Sequence, residues 1–157
     1  RIYFLTGIYN RRMFDGLLVA ETARACRYNS PLSLIMLDLD HFKQINDTLG
    51  HAAGDHVLQK IAELISGRIR SHDIFSRWDV YKRQILTPKN DADQAAVLAE
   101  ILRDMIEQYD FGNGLRLTCS FGVTRHICGE PVEAFIGRAD TALYQAKHNG
   151  RNRVETA

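Results

Sequence analysis

The sequence has 157 residues, of which 45% are apolar and 25% charged, with a net charge of +1 at neutral pH. That length and composition suit one α/β domain with a buried core, and the charge balance gives no basis for a nucleic-acid or membrane partner recruited by bulk charge. No apolar run approaches the roughly 20 residues of a membrane span, and the opening Arg1-Ile2-Tyr3-Phe4 is too short for a signal peptide, so no direct membrane insertion is expected.

A helix is predicted over 11–27, with Phe14, Leu17, Leu18 and Ala25 on one side. Asn29-Ser30-Pro31 breaks it. Residues 32–39 are nearly continuous in apolar side chains, as in a central strand buried on both faces. A short helix over 42–49 ends at Gly50. A longer helix follows Gly54, where Val57, Leu58, Ile61, Leu64, Ile65 and Ile69 repeat at helical period. Strands are predicted over 73–78 and 85–87, antiparallel if the segment between them is a hairpin, and Pro88 ends the second. A helix over 92–109 carries Ala95, Leu98, Ile101, Leu102 and Met105 on its apolar face. Gly112-Asn113-Gly114 is a turn. Residues 115–123 read as a strand in which Leu117, Cys119 and Phe121 alternate with Thr118 and Ser120. The last helix spans 131–147 and closes at Asn149-Gly150, with room for a short terminal strand through Arg153-Val154. This order is a split β-α-β arrangement of the ferredoxin-like type, an α/β (α+β) fold whose central, mainly antiparallel sheet is flanked by helices. No internal repeat or low-complexity linker interrupts it, so a single domain is expected to cover 1–157.

The three cysteines, Cys26, Cys119 and Cys128, contain no C-x-x-C pair and are expected to be reduced thiols in a cytosolic protein. The six histidines are dispersed, with no pair at zinc-ligand spacing and a third ligand nearby.

The most informative stretch is Asp38-Leu39-Asp40-His41-Phe42-Lys43-Gln44-Ile45-Asn46-Asp47, followed by Gly50-His51 and Gly54-Asp55. Two carboxylates stand at the end of an apolar run, which is how a buried strand delivers acidic ligands to a metal. Asp40 is expected to cap the helix that follows. The spacing D-x-D-x-F-K-x-x-N-D, then G-H, then G-D, resembles the GGDEF family, the diguanylate cyclases that join two GTP into cyclic di-GMP. Further strings carry the same resemblance. Leu5-Thr6-Gly7-Ile8-Tyr9-Asn10-Arg11-Arg12 is similar to the family's domain entrance, L-T-G-L-x-N-R-R. Ala139-Asp140-Thr141-Ala142-Leu143-Tyr144-Gln145-Ala146-Lys147-His148-Asn149-Gly150-Arg151-Asn152 resembles A-D-x-A-L-Y-x-A-K-x-x-G-R-N. Arg70-Ser71-His72-Asp73 matches the R-x-x-D of the family's product-inhibition site.

The resemblance implies a fold like that of nucleotidyl cyclases and the polymerase palm. It implies Mg²⁺ as cofactor, two ions per active site, held by the Asp38 carboxylate and the Leu39 backbone carbonyl. Asn46 and Asp55 would read guanine, since an amide and a carboxylate together satisfy the base's acceptor and donor edges. Lys43 would lie near the phosphates, and Lys147 and Arg151 would neutralise them. Phe42 is more simply a core anchor. Arg70 and Asp73 would bind cyclic di-GMP, arginine stacking on guanine and forking to its acceptor edge. The 3′-hydroxyl of one GTP would attack the α-phosphate of the other with loss of pyrophosphate, twice, in a site formed by a homodimer. The chain is then expected to be the C-terminal catalytic fragment of a longer regulated protein whose upstream sensor is missing. The domain would be cytoplasmic, with a parent free to be membrane-anchored.

The element that names the family is absent. Arg77-Trp78 and Ile85-Leu86-Thr87-Pro88 flank the right place, where family members read like R-W-G-G-D/E-E-F-x-x-L-x-P. Here Asp79 and Val80 replace the glycines, Tyr81 the acidic metal ligand, Lys82 the glutamate and Arg83 the phenylalanine. Glycine supplies positive φ in a tight hairpin and lets backbone approach a phosphate, and Val80 does neither. Lys82 puts a cation where metal ions need anions. Two readings are open. One is a degenerate domain kept as a GTP or cyclic di-GMP sensor. The other is a foreign segment: Asp-Val-Tyr-Lys-Arg-Gln is the translation of GAT GTG TAT AAG AGA CAG, the end sequence of a transposase adapter used in DNA library preparation. The second is favoured, because the loss is confined to those six residues while the other motifs stand.

Overall fold

In the computed structural model, which describes residues 9–79 and 81–157, the run Leu32–Leu39 (β1) is buried at every position. The entrance motif as far as Ile8, and Val80, lie outside the described residues. The side chains of β1 divide by parity, as successive residues of a strand must. Ile35, Leu37 and Leu39 enter one core. That core packs against α3 (His51–Ser66) and α4 (Ala92–Gln108) through Val57, Ile61, Ala99 and Leu102. Leu34 and Met36 enter the other, with Phe14 and Leu18 of α1 (Arg11–Arg27) and Phe135 and Ala139 of α5 (Val132–His148).

The remaining elements are α2 (Phe42–Leu49), β2 (Ile74–Arg77), β3 (Lys82–Pro88), β4 (Cys119–Arg125) and β5 (Val154–Thr156). The sheet order is β2-β3-β1-β4-β5. The central strand β1 is antiparallel to both β3 and β4, and β5 adds a parallel edge to β4. The order β2-β3-β1-β4 is that of a ferredoxin-like split β-α-β core, so the mixed α+β fold read from the sequence is the fold observed. Local signals agree with it. The Asn10 side chain accepts from the Met13 N–H at 2.9 Å and caps α1. Asp91 and Gln94 form a reciprocal capping box on α4.

Two glycines set how closely helices approach. A Cβ on Gly122 would lie 2.3 Å from the Leu143 nitrogen and 2.4 Å from the Ala139 carbonyl oxygen, so α5 rides directly on β4. A Cβ on Gly54 would lie 1.8 Å from Asn46 Oδ1. Gly54 therefore sits inside α3, which begins at His51, and marks the contact of α2 with α3. The sequence reading had placed the helix after it.

Three other expectations are corrected. The strand predicted over 115–123 begins at Cys119. The Leu115 N–H donates to Gly112 O and the Phe111 N–H to Leu115 O, so this backbone is committed to a turn. The strand predicted from 85 begins at Lys82, because the turn closes tightly. The three-thiol expectation is overturned: Cys26, ending α1, and Cys128, in the loop before α5, form a disulfide with Cα atoms 5.3 Å apart across a sequence separation of 102. Packing of α1 and α5 on one face of the sheet brings the two cysteines together. Cys119 stays a buried free thiol whose pKa burial pushes up.

Candidate functional site

The end of β1, the β2–β3 turn, the start of α2 and the end of α5 converge. Asp38, 8% exposed, is aligned across β1 and β3 with Lys82. Its Oδ2 lies 2.8 Å from the Lys147 ammonium of α5. Burial pushes the Asp38 carboxyl above the ordinary carboxylate range, against the pull of Lys147 and Lys82. Lys82 Nζ in turn pairs with Asp140 of α5 at 3.0 Å. Leu39 is buried beside Asp38 and paired with Cys119.

The hairpin closes through a side chain, not through glycines. Asp79 Oδ1 accepts from the Tyr81 and Lys82 N–H groups, both at 2.8 Å, and the Trp78 N–H donates to Lys82 O at 3.0 Å. Tyr81 meets Phe42 edge-on with ring centroids 5.8 Å apart, so the turn touches the first residue of α2. Lys43, next to Phe42, is exposed on the same helical turn.

The cost of the segment shows one residue further in. Arg83 is 1% exposed and donates from Nη1 to Asp79 O at 3.0 Å and to Lys82 O at 3.2 Å. Burial, with help from the Arg77 cation, lowers its pKa to about 10. Gln84 is wholly buried, aligned with Met36 and Ser76, and neither its Nε2 nor its Oε1 has a hydrogen-bond partner among the described residues. A strand interior that accepts an apolar residue at both positions would carry neither burden.

Asn46 and Asp55 stand on facing helices. Asn46 reaches the cleft beside Gly54, and Asp55 is exposed on α3 next to that glycine. The loop after α5 is held by the Arg151 N–H donating to Ala146 O, with Arg151 at φ 64° and its side chain exposed. Asp40 does not cap α2, as the sequence reading had it. The cap position is His41, in the left-handed region, with no side-chain cap bond. Asp40 instead accepts from Thr118 Oγ1 and Ser120 Oγ, each at 2.7 Å, and from the Asn152 N–H at 3.0 Å. It thus ties the Arg151 loop to β4 and the end of β1.

Arg70 and Asp73 lie apart from this site, just before β2. The Asp73 carboxylate, fully buried, accepts from the Arg70 N–H at 2.9 Å and from Arg70 Nη2 at 2.8 Å. Arg70 Nη2 also donates to Pro88 O at 2.8 Å, and the half-open guanidinium borders a cleft of about 320 Å³ with Arg68, Asn90, Gln94 and Leu98.

A pair of Mg²⁺ ions does not fit the residues present. Among the described residues no group of three or more His, Cys, Asp or Glu side chains is placed to hold a metal ion. Asp38 lies between two lysines, Lys82 of β3 across the ladder and Lys147 of α5 at 2.8 Å, and Tyr81 supplies no carboxylate. Sequence reasoning gave no role to Asp140, although it stands in the quoted α5 string, and missed the Asp40 hub, whose partners are 78 to 112 residues away.

Comparison with known proteins identifies the family and the fold. The family model described as "Diguanylate cyclase, GGDEF domain" matches residues 4–153. The diguanylate cyclase DgcP of Pseudomonas aeruginosa is 42% identical over 156 residues, covering 98% of this chain and 23% of DgcP. The diguanylate cyclase SiaD of Pseudomonas aeruginosa, solved in complex with its activator SiaC, superposes with a TM-score of 0.95 at 38% identity, covering 99% of this chain and 61% of that one. The GGDEF domain of DgcB from Caulobacter crescentus, solved in complex with c-di-GMP, gives a TM-score of 0.94 at 30% identity, covering 99% of this chain and 94% of that one. The chain therefore spans under a quarter of the length of DgcP.

Proposed function

Since the chain belongs to the GGDEF family of diguanylate cyclase domains, we propose that residues 1–157 are one such domain and that its parent condenses two GTP into cyclic di-GMP. Guanine lies between Asn46 and Asp55, and the triphosphate lies against Lys147, Arg151 and Lys43. Two copies face each other, so that the 3′-hydroxyl held by one meets the α-phosphate held by the other. Pyrophosphate leaves at each of the two bond formations. The observation that carries this reading is the 2.8 Å contact of Asp38 with Lys147, which joins the two longest family strings at one point. The chain as written carries no carboxylate at positions 81 and 82 and is not expected to turn over. No helix among the described residues is long and apolar enough to cross a membrane. We place the domain in the cytoplasm, below a sensor carried by the parent, with no nucleic acid involved.

Calorimetry with GTP and ATP tests the nucleotide reading. GTP is expected to bind at least about tenfold tighter than ATP, and Asn46→Ala to remove most of that preference, since losing one buried base-edge hydrogen bond costs about 1–3 kcal/mol. Equal affinities for the two nucleotides would contradict it.

A second site has its own support in the cleft beside Arg70. Cyclic di-GMP is expected to bind there with micromolar affinity, roughly −8 kcal/mol, because the pair lies outside the altered hairpin. Arg70→Ala should abolish the heat of binding. Equal heats from Arg70→Ala and the parent chain would rule the site out.

A further inference from the structure

We propose that the cations around Asp38 take the triphosphate of a nucleotide without a divalent metal ion. This deepens the GTP-site reading and rests on it. Positions 81, 82 and 83 carry Tyr, Lys and Arg, two positive charges, where the family signature carries two carboxylates and a phenylalanine. With Asp79 counted as well, residues 79–83 carry a net charge of +1 where the signature carries −2. A triphosphate can be neutralised by metal ions anchored on carboxylates or by side-chain cations directly. Here positions 81 and 82 offer no carboxylate anchor, while Lys82 and Lys147 stand beside Asp38.

Geometry supports the exchange. Lys147 holds Asp38 from α5, and Lys82 stands across the ladder from the same residue. Both lysine side chains keep about 30% of their surface open, 27% and 30%. The Asp140 partner of Lys82 is half-exposed, and an ion pair of that kind holds an ammonium weakly, leaving it able to turn toward phosphate. Arg83 lies beneath the same turn, bonded to Asp79 O and Lys82 O, and fixes the turn's backbone under the site.

Calorimetry with inorganic tripolyphosphate and with GTP, each in EDTA and in excess Mg²⁺, decides the matter. Both ligands are expected to bind in EDTA, with Mg²⁺ changing the GTP affinity by no more than about threefold. Lys82→Glu should weaken metal-free binding of both at least about tenfold, and Lys82→Arg should preserve it. Circular dichroism confirms that each variant is folded, as expected for a partly exposed side chain. Absence of tripolyphosphate binding in EDTA, or binding unaltered by Lys82→Glu, overturns the proposal. Should tripolyphosphate depend on Lys82 while ATP binds as tightly as GTP, the proposal stands and the guanine assignment falls.

Discussion

Replacing Asp79→Gly, Val80→Gly, Tyr81→Asp, Lys82→Glu and Arg83→Phe together is expected to turn a silent chain into a working diguanylate cyclase. The gain should be at least about 100-fold in cyclic di-GMP formed from GTP and Mg²⁺, since even ~3 kcal/mol of lost transition-state stabilisation accounts for that factor and the reversal of charge adds to it. The gain comes from what the segment displaces. We place Asp38, Lys147, Asn46 and Asp55 in the GTP site, and Tyr81 and Lys82 bring it no carboxylate from their two positions. The substitutions return two carboxylates to the turn, and the glycines open its backbone. Asp38→Ala added to the repaired chain should silence it again. Product chromatography on a dimerised protein reads both steps. A repaired, folded dimer that binds GTP and makes no product would place the defect elsewhere.

The second large effect is on stability, and it needs no ligand. Gln84→Leu combined with Arg83→Phe is expected to raise the unfolding free energy by about 3 kcal/mol, or roughly 10 °C in thermal midpoint for a domain of this size. Gln84 buries an amide with both polar atoms unpartnered, in the layer shared by Met36 and Leu86. Arg83 buries a cation on the opposite face, where its neighbour along β3, Ile85, belongs to the α3/α4 core. Polar side chains at two successive interior positions cost stability on both faces of the sheet at once. Thermal or urea denaturation measures the gain. A natural sensor adapted to its hairpin would lose stability on this change, which is the opposite sign.

How much of this was legible in the sequence depends on how far apart the partners lie. Asp38, Asn46 and Asp55 fall within one contiguous string, and the strand and two helices that carry them are written in its local pattern. The parity of β1 and the apolar faces of α4 and α5 could be read directly, because periodicity is a local signal. Asp40 was misread as a cap because its acceptor role is fixed by Thr118, Ser120 and Asn152, which only the sheet brings near. The Cys26–Cys128 bond was hidden for the same reason. Gly54 looked like a boundary, since nothing in the sequence shows that Asn46 occupies the space of its missing Cβ. The turn at Asp79 was judged by its lack of glycine, yet an aspartate side chain can close a turn by accepting from the next two N–H groups.

We infer that residues 79–84 are foreign to an otherwise intact GGDEF domain. Sequencing the source gene across codons 77 to 88, by a method that uses no transposase adapter, tests it most directly. The predicted result is an unbroken frame encoding Gly-Gly, Asp or Glu, Glu and Phe at codons 79 to 83, with an apolar residue at codon 84. Finding GAT GTG TAT AAG AGA CAG in the genomic DNA itself would contradict the claim and leave a natural domain that has replaced its signature.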